Sequence, residues 1–181
     1  EDTVINALWA IGMSLGIVFI AKTPGYADPM SYLFGNILLV STRDLVMLAV
    51  LDVAVIVLAW RYYPQIEASA FDEEFARTRG VSTDAVFLVI LGVTAIAVVL
   101  LQTYVGIVMV IAMLTLPAGT SGYFARNLAG MMAIGTLLSV AFSVAGLAIS
   151  WGLDLPSGAI VVLVAGATFL AVAALRAGRK A

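Results

Sequence analysis

Asp52 is the residue of this chain best placed for chemistry, because it alone puts a charge into the apolar run 45–60. An ionised carboxylate at that depth in a bilayer is costly, so such residues face a bundle interior and pair, hold a cation or stay protonated. Two readings follow. Asp52 lines a path for a metal cation, or it is a protonated acid hydrogen-bonded to a neighbouring helix. The thioethers of Met109 and Met113, one helical turn apart, with Met131 and Met132 nearby, have the softness that suits copper(I). The same residues fill apolar helix contacts, and packing is the expectation. His and Cys are absent, which removes imidazole ligands, thiolate chemistry and every nucleophile that needs a histidine base. A single mid-membrane acid cannot form a protease dyad, so no catalytic residue and no bound cofactor are assigned.

The second polar feature is an island, Ser69-Ala70-Phe71-Asp72-Glu73-Glu74-Phe75-Ala76-Arg77-Thr78-Arg79-Gly80, between long apolar segments. Its order is that of a short helix. Ser69 with Asp72 three residues on is a variant capping box, acidic residues fill the first turn, and Arg77 and Arg79 fill the last. Gly80 falls where a left-handed residue ends a helix, and Glu73 and Arg77 have the spacing of an i, i+4 pair. A helix of about ten residues is too short to stand alone in water and needs a surface. Phe71 and Phe75, expected on one face, offer the apolar contact. The island therefore reads as a docking helix addressed by a soluble partner, or as an interfacial helix that closes a loop.

These residues must be held by membrane helices. The chain is 63% hydrophobic and only 11% charged, which is the composition of a polytopic protein whose surroundings are the lipid bilayer. A crossing takes about 20 apolar residues. Residues 3–21 supply one, and 45–60 a second that ends at the interfacial cluster Trp60-Arg61-Tyr62-Tyr63. The uncharged run 85–125 is about 60 Å long as a helix, so it must turn, and Gln102-Thr103-Tyr104-Val105-Gly106 is the expected turn. That gives crossings at 85–101 and 107–124, with Pro117 expected to kink or end the second near its cytoplasmic end. Residues 128–151 and 158–175 give the last two, joined through Leu153-Asp154-Leu155-Pro156-Ser157-Gly158. Residues 31–40 are apolar but too short to span and are expected as a re-entrant or interfacial helix. The fold class is all-α: a polytopic bundle of about six transmembrane helices, a single domain over 1–181 with a cytoplasmic loop at 61–84.

Orientation follows from the basic residues. Arg61, Arg77, Arg79, Arg126, Arg176, Arg179 and Lys180 fall on one side, and Lys22 and Arg43 on the other. The island is cytoplasmic. Small residues at Gly12 and Gly16, and at Gly135, Ser139 and Ser143, let helices approach within one subunit or between two. The chain opens on Glu1-Asp2 with no charged leader and reads as a fragment. It carries no Walker-type phosphate loop and no basic, aromatic patch for nucleic acid. If ATP powers transport, the ATPase is another polypeptide.

The runs Tyr32-Leu33-Phe34-Gly35-Asn36-Ile37-Leu38, Phe71-Asp72-Glu73-Glu74-Phe75-Ala76-Arg77 closing at Gly80-Val81, Val105-Gly106-Ile107-Val108 to Leu114-Thr115-Leu116-Pro117-Ala118, and Leu153-Asp154-Leu155-Pro156-Ser157-Gly158 together resemble the permease subunits of the zinc/manganese/iron family of ABC importers. The resemblance covers essentially the whole chain. Gly119, Ser121 and Ala159 depart from it at helix ends. It implies a fold similar to vitamin B12-type importer permeases, in a prokaryotic inner (plasma) membrane. The implied partners are ABC ATPase subunits, a second permease copy and an extracytoplasmic metal-binding protein. It implies that the island is the coupling helix, with Phe71, Asp72, Glu73, Glu74, Phe75, Arg77 and Gly80 as its coupling residues. The implied substrate is a divalent metal ion, with zinc expected ahead of manganese and iron. No metal ligand carries over from the resemblance, so Asp52 rests on its position alone. The competing reading is part of a secondary cation transporter or channel, with Asp52 as its ion site and the island as a plain loop.

Overall fold

The computed structural model describes residues 2–21 and 40–177. All regular structure among them is α-helical: α1 (Asp2–Ala21), α2 (Thr42–Phe71), α3 (Glu73–Thr78), α4 (Thr83–Val105), α5 (Ile107–Gly122), α6 (Leu128–Leu153) and α7 (Ser157–Ala177). Each of the six apolar runs expected to cross has formed a helix. Four of these, α2, α4, α6 and α7, are long and apolar enough to span a membrane, while the apolar stretches Thr3–Phe19 and Ile107–Gly122 are shorter. The short helix expected at 31–40 lies, but for Val40, outside the described residues.

Two boundaries differ from the sequence expectation. The helix expected to stop at Trp60–Tyr63 runs on to Phe71 with Pro64 inside it. Pro64 removes one N–H from the ladder, a loss that a long helix tolerates. At 30 residues α2 is about 45 Å long, against about 30 Å of hydrocarbon, so its last turns project past the core and take up nearly half of the expected loop. Pro117 likewise does not end α5, which continues to Gly122. The turn expected over 102–106 shrinks to one residue. Gly106 (φ 76, ψ 157) separates α4 from α5, accepting a bond from Val110 N–H and donating to Gln102 O. Only glycine holds that φ without strain.

Among the described residues, 2–21 and 102–177 form one compact unit and 40–101 another. The core of the first is built from Ala7 and Ala10 of α1, Val108, Ala112 and Leu116 of α5, Phe142 of α6, and Val161, Ala165 and Phe169 of α7, among others. Lipid tails are as apolar as these side chains, so what holds the helices together is van der Waals fit and close approach. Gly146 shows how close: a Cβ there would lie 2.6 Å from the Cα and 2.9 Å from the N of Val161. Hydroxyls inside the helices bond back to their own backbone, as Ser14 does to Ala10 O (2.7 Å), Thr120 to Leu116 O (2.7 Å) and Thr168 to Val164 O (2.7 Å). Such bonds satisfy a donor that lipid cannot. Arg176 lies over the ring of Phe124 (5.3 Å), which brings the C-terminal end of α7 to the α5–α6 turn that also carries Arg126. Those two cations share one end of this unit, as the charge count requires.

The second unit consists of α2, α3 and most of α4. α2 buries no residue, and α4 buries only Thr83. A cleft of about 650 Å³ is lined by Val55, Ala59, Tyr62 and Ile66 of α2 and by Val86 and Val89 of α4, among others, and reaches Gly80, Val81 and Ser82 at the end of the island.

Candidate functional site

The site is the connection from the end of α2 to the start of α4. α2 ends at Asp72, an extended residue (φ −153, ψ 99) that breaks the helix and caps the next. Its carboxylate accepts a hydrogen bond from Phe75 N–H at 2.9 Å, a cap that contributes about 1 kcal/mol. Ser69 is not the N-cap; it lies inside α2, and the island's helix has 6 residues rather than about ten. Asp72 wins because its short carboxylate reaches the N–H three residues on, while Ser69 is still held in the ladder of α2. Phe71 and Phe75 consequently sit on two successive helices and not on one face of one helix. Both remain exposed, at 74% and 53%.

The far end of α3 follows the expectation closely. Gly80 has φ +80, Gly80 N–H donates to Arg77 O (3.0 Å) and Val81 N–H to Ala76 O (3.1 Å), the paired bonds of a Schellman ending. Glu73 and Glu74 occupy the first turn and Arg77 the last, which suits the helix dipole. Ala76 is fully buried, so α3 lies on its own unit through a methyl-sized face. Outside it are Phe71, Glu74, Phe75 and Arg79, all exposed, with the Arg79 guanidinium 5.1 Å above the Phe75 ring.

Arg77 is used internally. Its terminal Nη2 donates to Glu73 Oε1 (2.8 Å) and Asp84 Oδ1 (2.9 Å), and its Nε to Thr83 Oγ1 (2.7 Å). The Glu73 pair was legible in the sequence; Thr83 and Asp84 were not singled out. The signal for them was a Thr-Asp pair opening the next helix, which places a hydroxyl and a carboxylate in a first turn. The ion pairs are half exposed or more, so each contributes about 0.2–1 kcal/mol. The bond to Thr83, which is 4% exposed, is the sheltered member of the set.

Asp52 stands apart from this cluster. It is exposed on α2, and its spacing of three from Val55 continues the 55, 59, 62, 66 stripe that lines the cleft. No group of three or more acid, His or Cys residues that could hold a metal occurs among the described residues. The methionines do not converge on a soft-metal site. Met109 is buried in the apolar core with Met113 packed against it, and Met132 is exposed.

Long apolar helices, with a short charged helix between two of them, define a polytopic helical membrane protein. The chain belongs to the ABC 3 transport family, whose model matches residues 1–176. It is 40% identical over 97% of its length to an uncharacterised membrane protein of Synechocystis, covering 63% of that protein. It is 34% identical over 93% of its length to a manganese transport system membrane protein of Halalkalibacterium halodurans, covering 58% of it. Among solved structures it is similar to PsaBC from Streptococcus pneumoniae, determined in complex with Fab, with a TM-score of 0.75 and 28% identity over 88% of this chain and 58% of that one. The chain thus spans about three fifths of the length of the relatives it matches.

Proposed function

We propose that this chain is the membrane-spanning permease part of an ATP-driven importer of divalent metal ions, coupled to a separate ABC ATPase through α3. The observation that carries this reading is the α2–α3–α4 connection: a capped, firmly ended helix flanked by two exposed aromatic rings and ordered charge. A plain loop closure has no need of those features. Family membership supports the same role.

The ATPase subunits bind the outward face of α3 through Phe71, Glu74 and Phe75, with Asp72, Glu73, Arg77 and Gly80 setting its shape. A second permease copy and an extracytoplasmic metal-binding protein complete the importer in a prokaryotic plasma membrane. Closure of the ATPase pair drives the permease between outward-open and inward-open states. The permease performs no chemistry of its own and takes no cofactor; the metal ion is its substrate. The zinc expectation has no described residue behind it, and the relative named for manganese supports manganese as the cargo. Among the described residues, Asp52 is the carboxylate nearest the middle of a membrane-spanning helix, where a passing cation would meet it.

The test is uptake of radioactive manganese and zinc into proteoliposomes holding the full permease, its ATPase and the binding protein. Uptake should require ATP hydrolysis and persist when ion gradients are collapsed. Uptake driven by a proton or sodium gradient without ATP would establish the secondary-transporter reading instead.

A further inference from the structure

We infer that Arg77 is a positioning residue that fastens the coupling helix to α4, so that movement of α3 is delivered to α4, and that it is not itself a contact for the ATPase. The inference rests on the coupling role proposed above. Arg77 engages three acceptors on two helices: Glu73 within α3, and Thr83 and Asp84 in the first turn of α4. The Nε–H has a single hydrogen, and Thr83 Oγ1 takes it. The Nη2 has two, and the two carboxylates take them. The Thr83 hydroxyl also lies 3.3 Å from Glu73 Oε1, which closes a ring of bonds through Arg77, Glu73 and Thr83. The backbone agrees, since the Schellman bonds fix the turn from Arg77 to Val81. Four residues, 79 to 82, then separate the end of α3 from α4.

The junction with α2 is built differently. There the helix is interrupted by one extended residue, Asp72. Asp72 N–H donates to Ala68 O of α2 and Asp72 O accepts from Ala76 N–H of α3, so backbone bonds rather than side chains hold this junction. α3 thus lies on α2 through the backbone around Asp72, and the Arg77 bonds are what join it to the first turn of α4, so that a shift of α3 is passed on there. Glu74, Phe75 and Arg79 remain on its outer side for the partner.

The experiment uses the full permease–ATPase complex in proteoliposomes, with Arg77→Met, Thr83→Val, Asp84→Asn and the double variant Arg77→Met/Asp84→Asn. Three quantities are read: ATPase retained on purification, metal moved per ATP hydrolysed, and amide exchange across residues 73–84. The expected result is that the ATPase stays bound while metal moved per ATP falls about 5- to 10-fold in Arg77→Met, a coupling loss of ordinary size. Thr83→Val and Asp84→Asn fall in the same direction, and the double variant is no worse than Arg77→Met, because all act on one link. Exchange rises in 73–84 in parallel. An unchanged ratio of metal to ATP in Arg77→Met overturns the inference. So does loss of the ATPase from Arg77→Met with retention by Asp84→Asn, since Arg77 would then be a docking contact. If Arg77→Met does not fold, Thr83→Val and Asp84→Asn decide by the same ratio. An unaltered permease that never retains the ATPase defeats the coupling reading and this inference together, and the wild-type lane shows it.

Discussion

A lone carboxylate, a proline or a glycine in this chain acts according to its immediate neighbours, and Asp52 illustrates the point. It stands in a helix that buries none of its residues, and no cluster of further acids, His or Cys accompanies it among the described residues. A divalent ion passing one carboxylate is held weakly, because stable sites for such ions take several ligands. Asp52→Asn keeps a polar group of the same shape, so metal uptake is expected to stay within about threefold of wild type with normal assembly, a loss of no more than about 0.7 kcal/mol. A well-folded Asp52→Asn permease that has lost nearly all uptake would show that this carboxylate carries the ion.

Helix ends and helix crossings are where the elements are decided. Gly146 brings α6 against the backbone of α7 at Val161, whereas Gly92 has nothing near its missing Cβ among the described residues. Gly146→Ala must push two backbones apart and is expected to cost about 2–3 kcal/mol. Gly92→Ala gains helix propensity and is expected to be neutral or stabilising by up to about 1 kcal/mol. Thermal unfolding of the two variants in detergent checks the contrast, and equal midpoints would contradict the close crossing.

The same scale shows what the sequence could tell. Apolar runs and their punctuation revealed the helices, because crossing length and loss of charge are properties of single segments. Glu73–Arg77 and the Gly80 ending were legible for the same reason. What escaped were choices between competing local signals. Asp72 prevailed over Ser69 as the cap, α2 ran through Pro64 and the aromatic cluster, and Gly106 alone replaced a five-residue turn. Thr83 and Asp84 were missed because their partner lies across a turn, in another helix. The packing behind Gly146 also depends on a neighbour that periodicity cannot name, and Gly12 and Gly16, read as an approach motif, face nothing within 4 Å among the described residues.

On the scale of the molecule, two units divide the labour. One has a packed apolar core of α1, α5, α6 and α7. The other carries long, unburied helices and the short capped helix α3 between them. A permease that must change state needs a port through which another protein can move it, and in the coupling role proposed above that port is the outward face of α3. The most direct test is binding of the ATPase to a full permease carrying Phe75→Ala together with Glu74→Lys, which removes an apolar anchor and reverses a charge without touching the Arg77 ring. Expression and helical content should be normal, ATPase affinity should fall at least about tenfold, and ATP-driven metal uptake should fall with it. Unchanged ATPase binding and unchanged uptake would contradict the coupling role and leave the chain better described as part of a secondary transporter or channel.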